Sequence, residues 1–348
     1  MPLVTDYNAV KEVYHEAAER GVSLPSFCIE DRETLEAVLA ATADVAREIG
    51  VDNLPVVPAW TSRYPGRGQM KLLTACGDPV LGTNLMLSDL AMFVGDTSPY
   101  RHLRVLPHLD HGFPWLDGDI MRHYAERFAS IMCDASEKPF EENVRITAQY
   151  VEEVRGRVLV EGAVDEIFEA GSDLPKNEAT TVEQAERFRA RTGVDILVPN
   201  VGTEHRSTAT RGVYRADRAR EISRKVGKIL CLHGTSSLDE RHLAGLAADG
   251  FVKVNIFTIL AVRGGQAVAR KVLDTVGNIF DEEQLDSLVR TGVLGPGVLE
   301  PGYGETQRPV RPKLDFVATP RRRDAWFQAV RATCRHFLTA FHYRAFEK

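Results

Sequence analysis

Val105-Leu-Pro-His108-Leu-Asp110-His111-Gly112 reads as an apolar strand that stops at a carboxylate, an imidazole and a glycine. Two further histidines stand at equally abrupt strand ends, His205 in Leu197-Val-Pro-Asn-Val-Gly-Thr-Glu-His205 and His233 in Ile229-Leu-Cys-Leu-His233-Gly234. Three imidazoles at the same ends of three parallel strands would converge on one point. A catalytic zinc ion needs that arrangement if a fourth position is to stay open for substrate. The chain therefore reads as a metal enzyme.

Outward from that stretch, short apolar runs recur over 26–29, 55–59, 104–109, 130–133, 158–160, 196–200, 228–232 and 251–256. Segments with helical periodicity alternate with them, over 33–48, 140–155, 182–191, 215–226 and 239–248. Eight strand–helix units are the count that closes a (β/α)8 TIM barrel, here with an N-terminal helix and a C-terminal helical extension. Asp31, Thr181 and Ser237 are the expected helix caps, the last two followed three residues later by Gln184 and Glu240. We expect one domain over 1–348, with an insertion at 62–100, a Pro/Gly-rich stretch at 292–320 and a C-terminal extension at 277–348. Long insertions beside a barrel face serve as lids, subunit contacts or plain surface loops.

Composition narrows the classes. The 348 residues are 44% hydrophobic with a net charge of −6, and neither sign forms a long run, so nucleic acid is not an expected partner. Arg321-Arg322-Arg323 opens the expected C-terminal helix, where a solvated turn is the plain reading and a phosphate or partner contact the alternative. Five cysteines, odd in number and without a Cys-x-x-Cys pair, fit a reducing cytoplasm. The start lacks a signal region and no run approaches the roughly 20 apolar residues of a membrane span. A soluble cytoplasmic protein is expected.

The polar residues that follow each apolar run carry the chemistry: Asp110-His111, Asp134-Ala-Ser136, Glu161, His205, His233-Gly-Thr-Ser236, and Asn255 with Thr258. A lone histidine is usually a hydrogen-bonded structural residue. Three at matching topological positions reverse that preference.

At these residues the chain resembles the class II, metal-dependent ketose-bisphosphate aldolases, nearly end to end. The opening Met1-Pro-Leu-Val4, followed by Phe27-Cys-Ile-Glu-Asp-Arg-Glu-Thr-Leu35, is similar to the family's first helix and strand, and His108-Leu-Asp-His-Gly112 to its signature. Ile131-Met-Cys-Asp-Ala-Ser-Glu-Lys-Pro-Phe-Glu-Glu-Asn143 is similar to the second signature, and Leu232-His-Gly-Thr-Ser-Ser237 and Lys253-Val-Asn-Ile-Phe-Thr258 to the last two strand ends. The final 80 or so residues match more loosely.

The resemblance implies that His111, His205 and His233 bind zinc, and that Asp110 is the proton donor and acceptor for the hydroxyl at the bond being made or broken. It also implies that Asn255 hydrogen-bonds a zinc-stabilised enediolate, and that Gly234, Ser236 and Thr258 cradle a phosphate. Ser236 can equally cap a helix, and Asn255 can simply satisfy a strand end. Asp134 and Glu161 are expected to orient ligands, with Glu161 also a candidate alternate metal contact.

Departures from the family cluster on substrate contacts. Arg206 stands where a glycine approaches the donor phosphate, Phe257 replaces a carboxylate, Cys28 replaces an asparagine, and Ala163 replaces the second glutamate of Val-Glu-Ala-Glu. The mobile-loop glutamate has no aligned counterpart, with Glu169 or Asp173 as substitutes. Three readings remain: an aldolase with an altered donor or acceptor, Arg206 or Arg211 pairing a carboxylate or repositioned phosphate; an orthodox fructose- or tagatose-bisphosphate aldolase; or a non-catalytic zinc barrel that binds a ligand or partner. The intact Asp110, Asn255 and histidine set favours chemistry. Its partners would be a small phosphorylated sugar or related aldehyde and ketone, and a second copy of the chain, through 62–100 or an expected C-terminal helix over 324–346. The apolar face of that helix (Trp326, Phe327, Val330, Phe337, Phe341, Tyr343) reads first as packing on its own barrel.

Overall fold

Pro107 divides the opening stretch in two, because a proline cannot donate to a sheet ladder. Arg104–Val105 pairs with Pro55 and Val56 as a short outer strand, and a separate strand begins at His108. In this computed structural model, which describes residues 2–166, 179–205 and 213–347, the barrel strands are β1 (Leu24–Cys28), β2 (Pro55–Thr61), β3 (His108–Gly112), β4 (Ser130–Cys133), β5 (Leu159–Ala163), β6 (Ile196–Val198), β7 (Leu230–Leu232) and β8 (Phe251–Ile256). All are parallel, and β1 closes the ring by pairing with both β2 and β8, Ser26 standing opposite Val57 and Asn255. Every residue of the eight is buried, as both-face coverage of a parallel sheet demands. The protein is a (β/α)8 barrel flanked by helices.

Several boundaries differ from the sequence reading, and the differences matter for the site. Asp110 and His111 lie within β3 rather than after it, and Glu161 lies in the middle of β5, which runs on to Ala163. β6 stops at Val198 because Pro199 follows. The helix expected over 239–248 is a 3-10 turn, Glu240–Gly245, capped by Asp239 rather than Ser237. Ser237 is occupied elsewhere: its hydroxyl donates to Gly234 O at 2.9 Å and accepts from Glu204 N at 2.8 Å.

Asp31 and Thr181 do cap their helices, Arg32–Ile49 and Val182–Thr192, the latter with Gln184 completing a capping box. An N-terminal helix, Tyr7–Glu19, buries Val10, Val13, Tyr14 and Ala17. Its Tyr7 hydroxyl donates to Asp195 at 2.7 Å, and the other oxygen of Asp195 accepts from Val160 N at 3.0 Å, which ties the helix to the strand starts. The insertion at 62–100 contains two helices, Gln69–Leu72 and Pro79–Phe93.

The described chain falls into two compact units, Met1–Thr258 with Cys334–Lys348, and Ile259–Thr333. In the first unit the C-terminal segment packs on the barrel: Cys334, Leu338, Phe341 and Tyr343 are buried, and Tyr343 donates to Pro55 O at 2.8 Å. The second unit has its own small core of Val276, Leu285, Val298 and Val310, edged by Phe280, Val289, Leu294 and Tyr303. Arg321 there lies 4.4 Å over Phe316 and 3.1 Å from Glu305, so this member of the basic cluster is occupied internally. Among the described residues no helix is long and apolar enough to cross a membrane.

Candidate active site

His111, His205 and His233 come from β3, the segment after β6 and the end of β7, and their ligand nitrogens lie within 4.8 Å of one another. The ring centroids are 5.3 Å apart for His111 and His205, 5.0 Å for His111 and His233, and 5.6 Å for His205 and His233. Three imidazoles at this spacing fit a zinc ion with an open fourth position. Desolvation and the neighbouring His111 and His233 push the pKa of His205 well down, so it stays in the neutral, ligating form.

The backbone of His111 is left-handed, with φ at 46°, a conformation non-glycine residues adopt at a cost of about 1–3 kcal/mol where surroundings enforce it. Gly112 helps: a Cβ there would meet Met132 O at 2.9 Å and Met121 Sδ at 3.1 Å, so the β3 end sits closer to β4 than any larger residue permits. Asp134, just past β4, accepts from His111 Nδ1 at 2.7 Å. A carboxylate can only accept, so Nδ1 carries the hydrogen and Nε2 keeps the ligating lone pair. Ser136 holds the other oxygen of Asp134 through its amide at 3.1 Å and hydroxyl at 2.7 Å. Burial works to lower the His111 pKa, but Asp110 and Asp134 outweigh it and the net direction is up.

Asp110 faces Asn255, whose Nδ2 donates to its Oδ1 at 2.9 Å, and Cys28 Sγ lies 3.7 Å from its other oxygen. Burial alone would raise the Asp110 pKa. His111, His108 and His233 overcome that and hold the carboxyl well below its ordinary range, so it is ionised. Tyr64, from the insertion, lies with its ring 4.7 Å from His111 and stacks on Phe113 at 5.8 Å.

Beneath this ring of imidazoles lies a second polar layer. Lys253 on β8, with a fully buried side chain, donates to His108 Nε2 at 2.9 Å and to Glu161 Oε2 at 2.8 Å. Glu161 Oε1 in turn accepts from His233 Nε2 at 3.0 Å, and His108 Nδ1 meets Ser130 Oγ at 2.8 Å. Desolvation would raise the Glu161 pKa, but Lys253 and the hydrogen bond from His233 drive it down. The same surroundings push Lys253 upward against its own desolvation.

Gly234 has φ of 70°, and a Cβ there would meet Glu204 N at 2.8 Å, so the loop after β7 needs glycine. Thr235 Oγ1 donates to Asn255 O at 2.8 Å, fastening that loop to β8. Ser236 lies in the short turn Thr235–Ser237, and Thr258 begins the helix Thr258–Asp274. Phe257 is covered by Arg67, whose guanidinium is 4.1 Å from its ring centre and 2.7 Å from Glu30. Arg206, Arg211, Glu169 and Asp173 lie outside the described residues.

Sequence reasoning did not single out His108, Lys253, Tyr64 or Arg67. A signal for the first two existed. His108 and Asp110 are two apart on β3, as are Lys253 and Asn255 on β8, so each pair points to one face, and a lysine within a buried parallel strand requires a buried partner.

The class II fructose-bisphosphate aldolase family matches residues 8–293. Among solved structures, the fold is similar to the YdjI aldolase from Escherichia coli K12, at 20% identity and a TM-score of 0.61 over 96% of each chain. It is also similar to fructose-bisphosphate aldolase (Fba) from Campylobacter jejuni, at 18% identity and a TM-score of 0.68 over 97% of this chain and 95% of that one. The low identities speak to fold, whereas the family match spans most of the sequence: the chain belongs to the class II fructose-bisphosphate aldolase family, as a divergent member, and is an aldolase.

Proposed function

We propose that the protein is a zinc-dependent aldolase that joins or cleaves a carbon–carbon bond between a phosphorylated, dihydroxyacetone-phosphate-like donor and an aldehyde, with a substrate pair altered from that of fructose 1,6-bisphosphate. One observation carries the reading: three histidines with ligand nitrogens within 4.8 Å stand beside an ionised Asp110 that is itself held by Asn255 at 2.9 Å. His111, His205 and His233 would hold the metal, and the acceptor on His111 Nδ1 supports that assignment. Zinc supplies there a positive charge that offsets the negative charge developing at the donor's carbonyl oxygen.

The chain's own residues do the rest. In cleavage Asp110 takes the proton of the hydroxyl on the carbon that becomes the aldehyde; in synthesis it returns it. Asn255 fixes Asp110 with one amide hydrogen and offers the other to the donor's oxygen. Gly234, Ser236 and Thr258 receive the donor phosphate through backbone amides and hydroxyls. Phe257 under Arg67, where the family resemblance implies a carboxylate, supports an altered substrate. Exposed Leu72, Leu81, Leu85 and Met92 in the insertion support self-association, which sedimentation velocity would read.

The test has two stages. Metal analysis should find about one zinc per chain, and the holoenzyme should exchange a donor's α-proton with solvent deuterium. Absence of exchange with dihydroxyacetone phosphate, dihydroxyacetone and hydroxypyruvate alike would overturn the reading. Aldehyde screening against the donor that exchanges then defines the acceptor.

A further inference from the structure

Among the described residues, three sets of potential metal ligands are nested in the barrel: His111, His205 and His233; then Glu161, Cys231 and His233; then His108, Asp110 and Glu161, each with ligand atoms within 4.8 Å. Neighbouring sets share a member, so an ion could in principle settle at more than one depth. The two inner sets are fully buried and hold carboxylates, thiol and imidazoles, donors that suit zinc as well as the outer set does.

Lys253 stands among the inner donors, its Nζ 2.9 Å from His108 Nε2 and 2.8 Å from Glu161 Oε2. The hydrogen bonds around it define its role. His108 Nδ1 lies 3.2 Å from Ser130 O, a carbonyl that only accepts, so Nδ1 bears the hydrogen and Nε2 turns its lone pair to the ammonium, as it would to a metal ion. Glu161 gives one oxygen to the ammonium and the other to His233 Nε2 at 3.0 Å, a nitrogen that Asn255 Nδ2 also approaches at 3.1 Å; because the carboxylate can only accept, Nε2 carries the hydrogen and His233 Nδ1 keeps the lone pair. A carboxylate buried this deeply requires a cation, and without one it must capture a proton or a metal.

We propose that Lys253 is a built-in cation filling the inner donor sets, so that the centre accepts one zinc ion rather than two, and that through Glu161 it positions His233 as a ligand of that ion. This rests on the zinc reading above. Lys253 is on this account a positioning residue, remote from the reacting atoms.

The experiment measures zinc per chain and zinc affinity by chelator competition, in wild type and the Lys253→Met, Lys253→Arg and Glu161→Gln variants, each purified with excess zinc. Cobalt substitution adds a spectrum in which thiolate ligation by Cys231 would appear as a charge-transfer band. Wild type and Lys253→Arg should hold about one ion. Lys253→Met should hold a second, or show the thiolate band as its ion moves inward. Glu161→Gln, with a single acceptor oxygen for two donors, should weaken zinc about 10–100-fold, and it keeps the proposal testable even if Lys253→Met does not fold. A Lys253→Met protein with one zinc, wild-type affinity and no thiolate band overturns the proposal, as does unchanged affinity in Glu161→Gln. A wild type without zinc instead overturns the function proposed above.

Discussion

At the strand starts, the carboxylate of Asp195 is met by a phenol at 2.7 Å and a backbone amide at 3.0 Å, both neutral donors. Toward the other end of the barrel, Asp110 and Glu161 within their strands and Asp134 just past β4 are met by imidazoles and an ammonium. The first arrangement fastens a helix to a barrel and asks nothing further of the charge. The second keeps three carboxylates ionised out of water by surrounding them with cationic and metal-ligating side chains. A cleft of about 950 Å³ opens at the strand starts, lined by Tyr7, Lys11, Asp195 and Lys228 among others. Among the described residues no potential metal ligands converge there. The convergence of potential ligands, rather than a cleft, marks the candidate site.

The strongest way to break this contrast is to remove a ligand. His205→Ala or His233→Ala should abolish zinc binding and reduce aldol turnover to background, measured by metal analysis and a coupled assay. Next, Asp110→Asn should retain zinc while turnover falls about 10²–10⁴-fold, the range for loss of a general acid–base; an equal loss of zinc would mean that Asp110 serves the metal and not the proton. Asp134→Ala leaves the ligands in place but frees His111 Nδ1, and zinc affinity should drop about 10–100-fold by chelator competition.

At the opposite end, Tyr7→Phe should cost about 0.5–1.5 kcal/mol in denaturant unfolding and leave turnover unchanged. The same variant sharpens the comparison through pH. Desolvation and the bond to Asp195 raise the Tyr7 pKa from 10.0 to about 12, so its contribution is fully present below pH 10 and is lost as pH climbs through 12. Wild type should therefore lose its advantage over Tyr7→Phe across that window, and a constant difference would show that the hydroxyl is not linked to folding.

The outer imidazoles are legible in the sequence because a parallel barrel puts function at strand ends, and His205 and His233 follow short apolar runs closely. Of the inner layer only Glu161 is named from the sequence, and there as a strand end; the rest is not legible, for a different reason in each case. Seeing that Lys253 faces His108 and Glu161 requires the closed register that brings β3, β5 and β8 to one interior, and no local pattern states it. Val158–Val160 looks complete as a strand and so puts Glu161 at its end, whereas β5 runs on through Ala163. The cap expected at Ser237 does not form because a tertiary contact with Glu204 claims the hydroxyl. Arg67 and Phe257, the pair that supports an altered substrate, come together from an insertion and the end of a barrel strand and have no sequence signature of adjacency.

The left-handed backbone at His111 limits how this position can be interrogated. A β-branched replacement such as valine would have to abandon that conformation, and its defects would report on a distorted chain end rather than on a missing ligand. Asparagine tolerates the same torsions, so His111→Asn removes the imidazole while leaving the main chain undisturbed, and it is the substitution whose result can be interpreted.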